Sequence, residues 1–549
     1  MRGTAPGSHP GGSPEERAVY RSRRIRRIRR TRRPWRPWRH RGAAAGLAAA
    51  VVLATGLGAA PSTLAASGDG DERFYGQGIR WGDCHEGRRG VPDGMRCGEI
   101  TVPLDYADPA KGTVKLALGR IPATGPGKRL GSVFLNYGGP GGPGIESLAA
   151  DPKPFAELGK RYDLVTFDPR GVGRSEPVSC GGSLEPDPEA GTDAASQLAA
   201  LRSLVRRCEL HSGPVLPYIG TVNVARDLDV MRQVLGDEKL NYLGFSYGTR
   251  LGAVYAAQFP GKTGRMVLDG VDTLTEPLAE QALISARGQQ RALDNFLAWC
   301  AHQPGCVYGT NTRTAKEKVN ALVARLDEQP LVDGGWYVTG QDVVAAVATA
   351  LYSPGLWPAL ADGLRRIERD GDPSALTELA AEPVEPGDED GGDDPDRVPA
   401  DNADAALTAV NCADDPDRGE DKATAAAIEK EIRGLSEEFR KASKIFGPAQ
   451  LMTVLSCYGR PAGTDFIRRI DRPAGVPRML LVGTRGDPAT PYEWTEETAR
   501  RLGGAAVVLD HKGEGHTGYA TSPCVRDFVH HFLVDGRLPG GTRSCPAGE

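Results

Sequence analysis

Six short runs of apolar, β-branched and aromatic residues constrain this chain more than any other feature. They are 132–137 (Ser-Val-Phe-Leu-Asn-Tyr), 163–167 (Asp-Leu-Val-Thr-Phe), 240–245 (Leu-Asn-Tyr-Leu-Gly-Phe), 265–269 (Arg-Met-Val-Leu-Asp), 479–483 (Met-Leu-Leu-Val-Gly) and 505–509 (Ala-Ala-Val-Val-Leu). Runs that are mostly apolar suit strands buried on both faces, the condition of a parallel sheet covered by helices. Helix-like stretches lie between several of them, as βαβ units require. Two earlier runs, 98–104 and 114–121, alternate instead and read as antiparallel strands with one wet face. The expectation is an α/β architecture with a mostly parallel central sheet flanked by helices.

The alternation stops between residues 273 and 475. The pattern there predicts helices over 278–300, 314–326 and 423–443. An acidic, Gly/Pro-rich stretch at 382–396 reads as a mobile loop. This block is expected to be a large, mainly helical lid inserted between two strands of the sheet. The core would then comprise residues 67–272 and 476–549. A length of 549 residues leaves room for about two to four folding units.

Charge is unevenly spread. Of 67 Lys and Arg and 71 Asp and Glu, residues 1–66 hold 14 Arg and only Glu15 and Glu16. The rest of the chain is strongly acidic and would be repelled by nucleic acid. Arg21 to Arg41 is followed by an apolar run, Ala43 to Ala60, and then by small residues ending at Ala65-Ala66. That order reads as an export signal over 1–66, hence a secreted protein. No stable membrane association is expected. All ten Cys lie beyond this signal, an even count that suits disulfides outside the cell. The simplest scheme pairs neighbours: Cys84–Cys97, Cys180–Cys208, Cys300–Cys306, Cys412–Cys457 and Cys524–Cys545. The absence of a CxxC pair and the scarcity of His speak against a metal site.

The chemistry starts at Gly244-Phe245-Ser246-Tyr247-Gly248. A strand-like run precedes it and a helix-like run, Thr249 to Phe259, follows. That is the setting of a nucleophile elbow, with Ser246 as nucleophile and the Tyr247 N–H facing a developing oxyanion. Upstream, 136–144 reads Asn-Tyr-Gly-Gly-Pro-Gly-Gly-Pro-Gly and follows another strand. Its bare backbone can approach a substrate oxygen, with Gly139 the favoured donor. Asp168-Pro-Arg-Gly-Val-Gly-Arg-Ser175 reads as a tight turn bracing that loop. The fold class that carries such an elbow, the α/β-hydrolase fold, places its triad in the order Ser, acid, His. His516, in a Gly-flanked loop after the strand 505–509, is the expected base. His511 sits too close to the strand end, and His530 and His531 lie on a helical run. Asp487, on a Pro-stiffened turn after the strand 479–483, is the expected orienting acid. Asp510 is its rival.

These motifs together resemble the secreted tripeptidyl aminopeptidases and proline-iminopeptidase-like hydrolases of actinomycetes. The carrying segments are 136–144, 168–175, Gly244-Phe-Ser-Tyr-Gly-Thr249, Gly486-Asp-Pro-Ala-Thr-Pro491 and Gly515-His516. The resemblance implies an exported exopeptidase that releases short peptides, tripeptides above all, or single residues from a free N-terminus with no cofactor. Asn136-Tyr137 replaces the His that opens the glycine loop in proline iminopeptidases, which argues against strict proline specificity. A free α-ammonium calls for a carboxylate partner, and Asp414, in Asn411-Cys-Ala-Asp-Asp415, is the proposed anchor. A carboxylesterase or lipase would use the same triad with an apolar acyl pocket. An intact candidate triad argues against a non-catalytic binding protein.

Overall fold

In the computed structural model, the six runs become neighbours in one ten-stranded sheet. The structure describes residues 72–84, 91–182, 184, 194–334, 336–381, 398–415, 424–460, 463–465, 467, 470–540 and 543–548. In chain order the strands are β1 (Gly82–Asp83), β2 (Arg96–Pro103), β3 (Thr113–Ile121), β4 (Ser132–Asn136), β5 (Asp163–Phe167), β6 (Leu240–Phe245), β7 (Thr263–Asp269), β8 (Leu331–Asp333), β9 (Trp336–Val338), β10 (Met479–Gly486), β11 (Ala506–Glu514) and β12 (Ser544–Cys545). The sheet order is β1-β2-β3-β5-β4-β6-β7-β10-β11-β12, and β8 and β9 form a separate hairpin. Pairing is antiparallel from β1 through β3 to β5 and parallel from β5 onward. The alternating runs thus form the antiparallel edge, and the mostly apolar runs form the parallel centre.

Every residue of β4 and β5 is buried. Successive side chains go to opposite faces. Phe134, Tyr242 and Leu268 join one apolar cluster, while Val133, Leu135, Leu243, Val267 and Leu480 join the other. β10 and β11 run three and five residues beyond the apolar runs that mark them. Arg485 and Asp510 pair across these polar strand ends at 2.8 and 3.0 Å, supporting a stretch that hydropathy alone does not flag.

Register brings the catalytic candidates to one edge. Asn136 lies opposite Gly244, Phe245 opposite Asp269, and Asp269 opposite Val482. The segments that leave β4, β6, β7 and β10 therefore emerge side by side.

Between β7 and β10 the described residues form helices, the β8–β9 hairpin and the loops that join them. Helix Leu278–Cys300 falls where the pattern predicts it, and Thr312–Glu328 and Ala425–Ala442 lie within two residues of their expected ends. Helices Gly340–Leu351 and Trp357–Asp370 are not marked by the pattern. Leu293, Phe296, Val319, Val347, Trp357 and Leu360 give this insertion an apolar cluster of its own. Helix Asn402–Asp414 differs: Ala405, Ala406, Ala409, Val410 and Ala413 pack into the core of the sheet. The ten cysteines pair neighbour with neighbour. The expected export signal and the acidic stretch at 382–396 lie outside the described residues.

Candidate active site

Ser246 occupies the turn between β6 and the helix Tyr247–Gln258, with φ 55° and ψ −129°. A non-glycine residue in such a conformation costs about 1–3 kcal/mol. Its glycine neighbours make the turn feasible. A Cβ on Gly244 would fall 2.4 Å from Tyr242 Cε1, and one on Gly248 would fall 2.5 Å from Asn136 Oδ1. The Ser246 amide donates to the Asp269 carbonyl at 3.0 Å, anchoring the elbow to β7.

The glycine loop packs directly on this elbow. Asn136 Oδ1 accepts the Gly138 N–H at 3.2 Å. Gly138 has φ 87°, and a Cβ there would fall 2.5 Å from Phe245 O and 3.1 Å from Tyr247 N. Gly139 and Tyr247, the expected oxyanion donors, thus belong to adjoining segments. On the other side, a Cβ on Gly141 would fall 2.7 Å from Ala403 O. The small residues of helix Asn402–Asp414 permit that approach. The turn at 168–175 supports the loop from behind. Asp168 accepts the amides of Ile145 and Arg174 at 3.0 and 2.9 Å. Arg170 forms a buried two-point pair with Asp227 at 2.8 and 2.7 Å.

His516 and Asp487 meet across the loops after β11 and β10. His516 Nδ1 lies 2.9 and 3.0 Å from the two Asp487 oxygens. The buried carboxylate also accepts the amides of Ala489, Thr490 and Thr517 at 2.9, 2.8 and 3.2 Å, and the Thr490 hydroxyl at 3.0 Å. These donors fix its orientation. Burial alone would lower the His516 pKa. The charge and hydrogen bond of Asp487, helped by Asp269 and Asp272, outweigh burial and raise it. The insertion also touches His516: the Tyr352 carbonyl accepts the His516 main-chain N–H at 2.8 Å, and the Tyr352 ring meets the imidazole edge-on at 5.1 Å. Gly270 links the expected base and the expected nucleophile. A Cβ there would fall 3.4 Å from His516 Cε1, and the preceding residue, Asp269, holds the Ser246 amide. The rival groups are engaged elsewhere. His511 bonds Thr484 at 3.0 Å, His530 bonds the Tyr519 hydroxyl at 2.9 Å, and Asp510 pairs with Arg485 and Lys512.

A cavity of about 190 Å³ opens over Ser246. Gly139 and Pro140 wall it on one side and Pro488 to Thr490 on another. The insertion adds Gln281, Ser285, Gln289, Gln450 and Thr453, a largely polar lining. Arg250 and Asp272 contribute the charged part of the wall, paired at 3.0 Å. Asp414 does not line this cavity. It sits behind Arg250 at 3.8 Å, accepts the Thr221 amide at 2.8 Å and bonds the Thr221 hydroxyl. It faces instead a separate cavity of about 670 Å³ beside Glu497, Arg500 and Arg501. One buried guanidinium therefore serves two buried carboxylates. Burial raises the pKa of Asp272 and of Asp414, against the pull of Arg250 in each case.

A family model described as the α/β-hydrolase fold matches residues 131–359, and one described as TAP-like protein matches residues 443–545. Over 501 residues the chain is 34% identical to the serine protease Hip1 of Mycobacterium tuberculosis, covering 86% of this chain and 92% of that protein. It is 31% identical to the tripeptidyl aminopeptidase of Streptomyces lividans over 488 residues, 85% of this chain and 86% of the relative. It is also 33% identical to carboxylesterase B of M. tuberculosis over 467 residues, 82% and 86% of the two chains. The chain belongs to the tripeptidyl-aminopeptidase-like serine hydrolases. Within this hydrolase, Arg250, Asp272 and Tyr352 beside the site escape sequence reading, whereas Asn136 and Thr490 lie in motifs that the sequence marks without giving either residue its supporting role. Asp272 carries a usable signal, since it follows β7 on the same sheet edge that delivers Asp487. Arg250 lies in a helix interior and Tyr352 at a helix end far along the chain. Only the folded chain brings them to Ser246.

Proposed function

We propose that this hydrolase is an exported exopeptidase that releases short peptides, tripeptides in particular, from substrates with a free N-terminus. His516 takes the proton of Ser246 as its Oγ attacks the scissile carbonyl. Asp487 holds the imidazole tautomer and stabilises the imidazolium. The N–H groups of Gly139 and Tyr247 stabilise the oxyanion. His516 then protonates the leaving amine, and water releases the acyl group. The observation that carries this reading is the His516–Asp487 pair, braced by Thr490 and Thr517 beside the Ser246 elbow.

The charged wall supports a free amine as the recognised group. Asp272 and Asp414 share Arg250, so the cluster carries an excess of one negative charge when both are ionised. A substrate ammonium would neutralise that excess out of bulk water, where ionic contacts are strongest. Asp272 makes the contact from the cavity wall, and Asp414 adds charge from behind. Export is supported by five disulfides, which persist in oxidising compartments. A carboxylesterase reading is favoured by the relative of that name, while the polar cavity wall disfavours an apolar acyl pocket.

A substrate panel tests the proposal: tripeptidyl, aminoacyl and N-acetyl-tripeptidyl anilides, and a short-chain aryl ester. The free-amine tripeptidyl substrate should give the highest kcat/KM among the anilides and exceed its acetylated form by about 10-fold or more, the equivalent of one charged contact. Equal turnover of free and acetylated peptides, or cleavage of the ester alone, would overturn it.

A further inference from the structure

One buried carboxylate has no part in the triad and yet touches both of its halves. Asp269 ends β7, and its side chain is fully buried. Its main-chain carbonyl accepts the Ser246 N–H at 3.0 Å. Its carboxylate accepts the Gly518 N–H at 3.0 and 3.1 Å and the Tyr519 N–H at 2.7 Å. Gly518 and Tyr519 follow His516 by two and three residues. A single residue therefore ties the nucleophile elbow to the loop of the base.

The charged groups that act most on Asp269 are the His516 imidazole and the Asp487 carboxylate, and the Tyr519 phenol also feels its charge. Neither of the first two is a permanent cation. A buried carboxylate held mainly by amide donors is costly unless its charge is used. During acyl transfer the imidazole becomes an imidazolium, and Asp269 then gains a cation.

We propose that Asp269 is a positioning residue, fixing the His516 loop against the Ser246 elbow and placing a second negative charge behind the imidazolium. This rests on the triad reading above. Burial pushes the Asp269 carboxyl up to about 6, against the pull of the two amide donors and of His516. The His516 pKa is itself raised, in part by Asp269. Activity needs His516 neutral and Asp269 ionised, and acid removes both conditions. The sign for a neutral replacement is fixed: losing the Asp269 charge lowers the His516 pKa.

The experiment is the pH profile of kcat/KM for the full chain and for Asp269→Asn, with Tm measured on both. In the parent, the acidic limb should steepen below pH about 6 toward the loss of two protons. In Asp269→Asn, kcat should fall about 10-fold or more, one pK unit of imidazolium stabilisation. KM should change far less, and the acidic limb should move to lower pH with the slope of one proton. An unchanged kcat, or a lower kcat with a lower Tm and an unmoved limb, would overturn the inference. A one-proton limb in the parent would overturn it even if the variant failed to fold. His516→Ala separates the two readings. If that variant stays active, the triad reading falls and this inference with it. If it is inactive while Asp269→Asn matches the parent, only the role of Asp269 falls.

Discussion

The two halves of the site are built on different physics. The sheet edge holds Asp487 and Asp269 with main-chain amides, so the charges that serve His516 are fixed by backbone. The insertion meets the same cavity with long amide and hydroxyl side chains, among them Gln281, Gln289, Gln450 and Thr453. Backbone-held groups are preorganised and suit transition-state charge, which is where catalysis gains most. Side-chain-held groups adapt and suit recognition. The catalytic half should therefore respond to substitution through kcat, and the insertion half through KM.

The largest effect should come from Ser246→Ala, with kcat/KM reduced about 10⁴-fold or more in a steady-state assay. Asp487→Asn should lower kcat by about 10³- to 10⁴-fold by releasing the imidazole tautomer. It should also shift the acidic limb of the pH profile downward. Activity appears as His516 loses its proton on raising the pH, and Asp487 is the main group that raises its pKa. A KM effect with unchanged kcat would erase the contrast between the halves. Asp272→Asn should lower the ratio of free-amine to N-acetyl peptide turnover about 10-fold or more. That readout is a ratio, so a general loss of activity cancels. Asp414→Asn should move the same ratio less, because Asp414 acts through Arg250. An unmoved ratio in both variants would detach the charged wall from the amine.

Stability gives a gentler test. The Cys412–Cys457 bridge closes a 45-residue separation and ties helix Asn402–Asp414 to the rest of the insertion, whereas Cys300–Cys306 closes six. Chain entropy assigns them about 4 and about 2 kcal/mol. Double Cys→Ser replacement of the first pair should lower Tm more than that of the second, by calorimetry. Smallest of all, Gln450→Ala should raise KM less than about 10-fold and leave kcat nearly as it was, reflecting a single neutral hydrogen-bonding wall group.

The half proposed to be catalytic was also the more legible half. β4 to β7 and β10 announce themselves because burial on both faces leaves little room for polar residues, and the order Ser246, Asp487, His516 follows from which loops leave those strands. What sequence hides is placement by tertiary contact. Helix Asn402–Asp414 is mostly Ala, Asn and Asp, with little amphipathic contrast. It is buried because Gly141 and the turn at 168–175 accept small residues closely: Asn402 bonds Gly171, Gly173 and Val178. Asp414 stands out as part of an acidic pair, yet its partners Thr221 and Arg250 are remote in sequence. Asn136 reads as the residue replacing a histidine; folded, its amide supports Gly138 and packs on Gly248. Asp269 reads only as the end of a strand, since nothing local distinguishes a carboxylate that binds a loop 250 residues away.

The most direct test of the central claim is chemical. The active protein would be treated with a fluorophosphonate, and the adduct located by peptide mass spectrometry. A single adduct on Ser246, formed in step with loss of activity and suppressed in His516→Ala, is the expected result. Loss of activity with Ser246 unmodified, or equal labelling in His516→Ala, would contradict it.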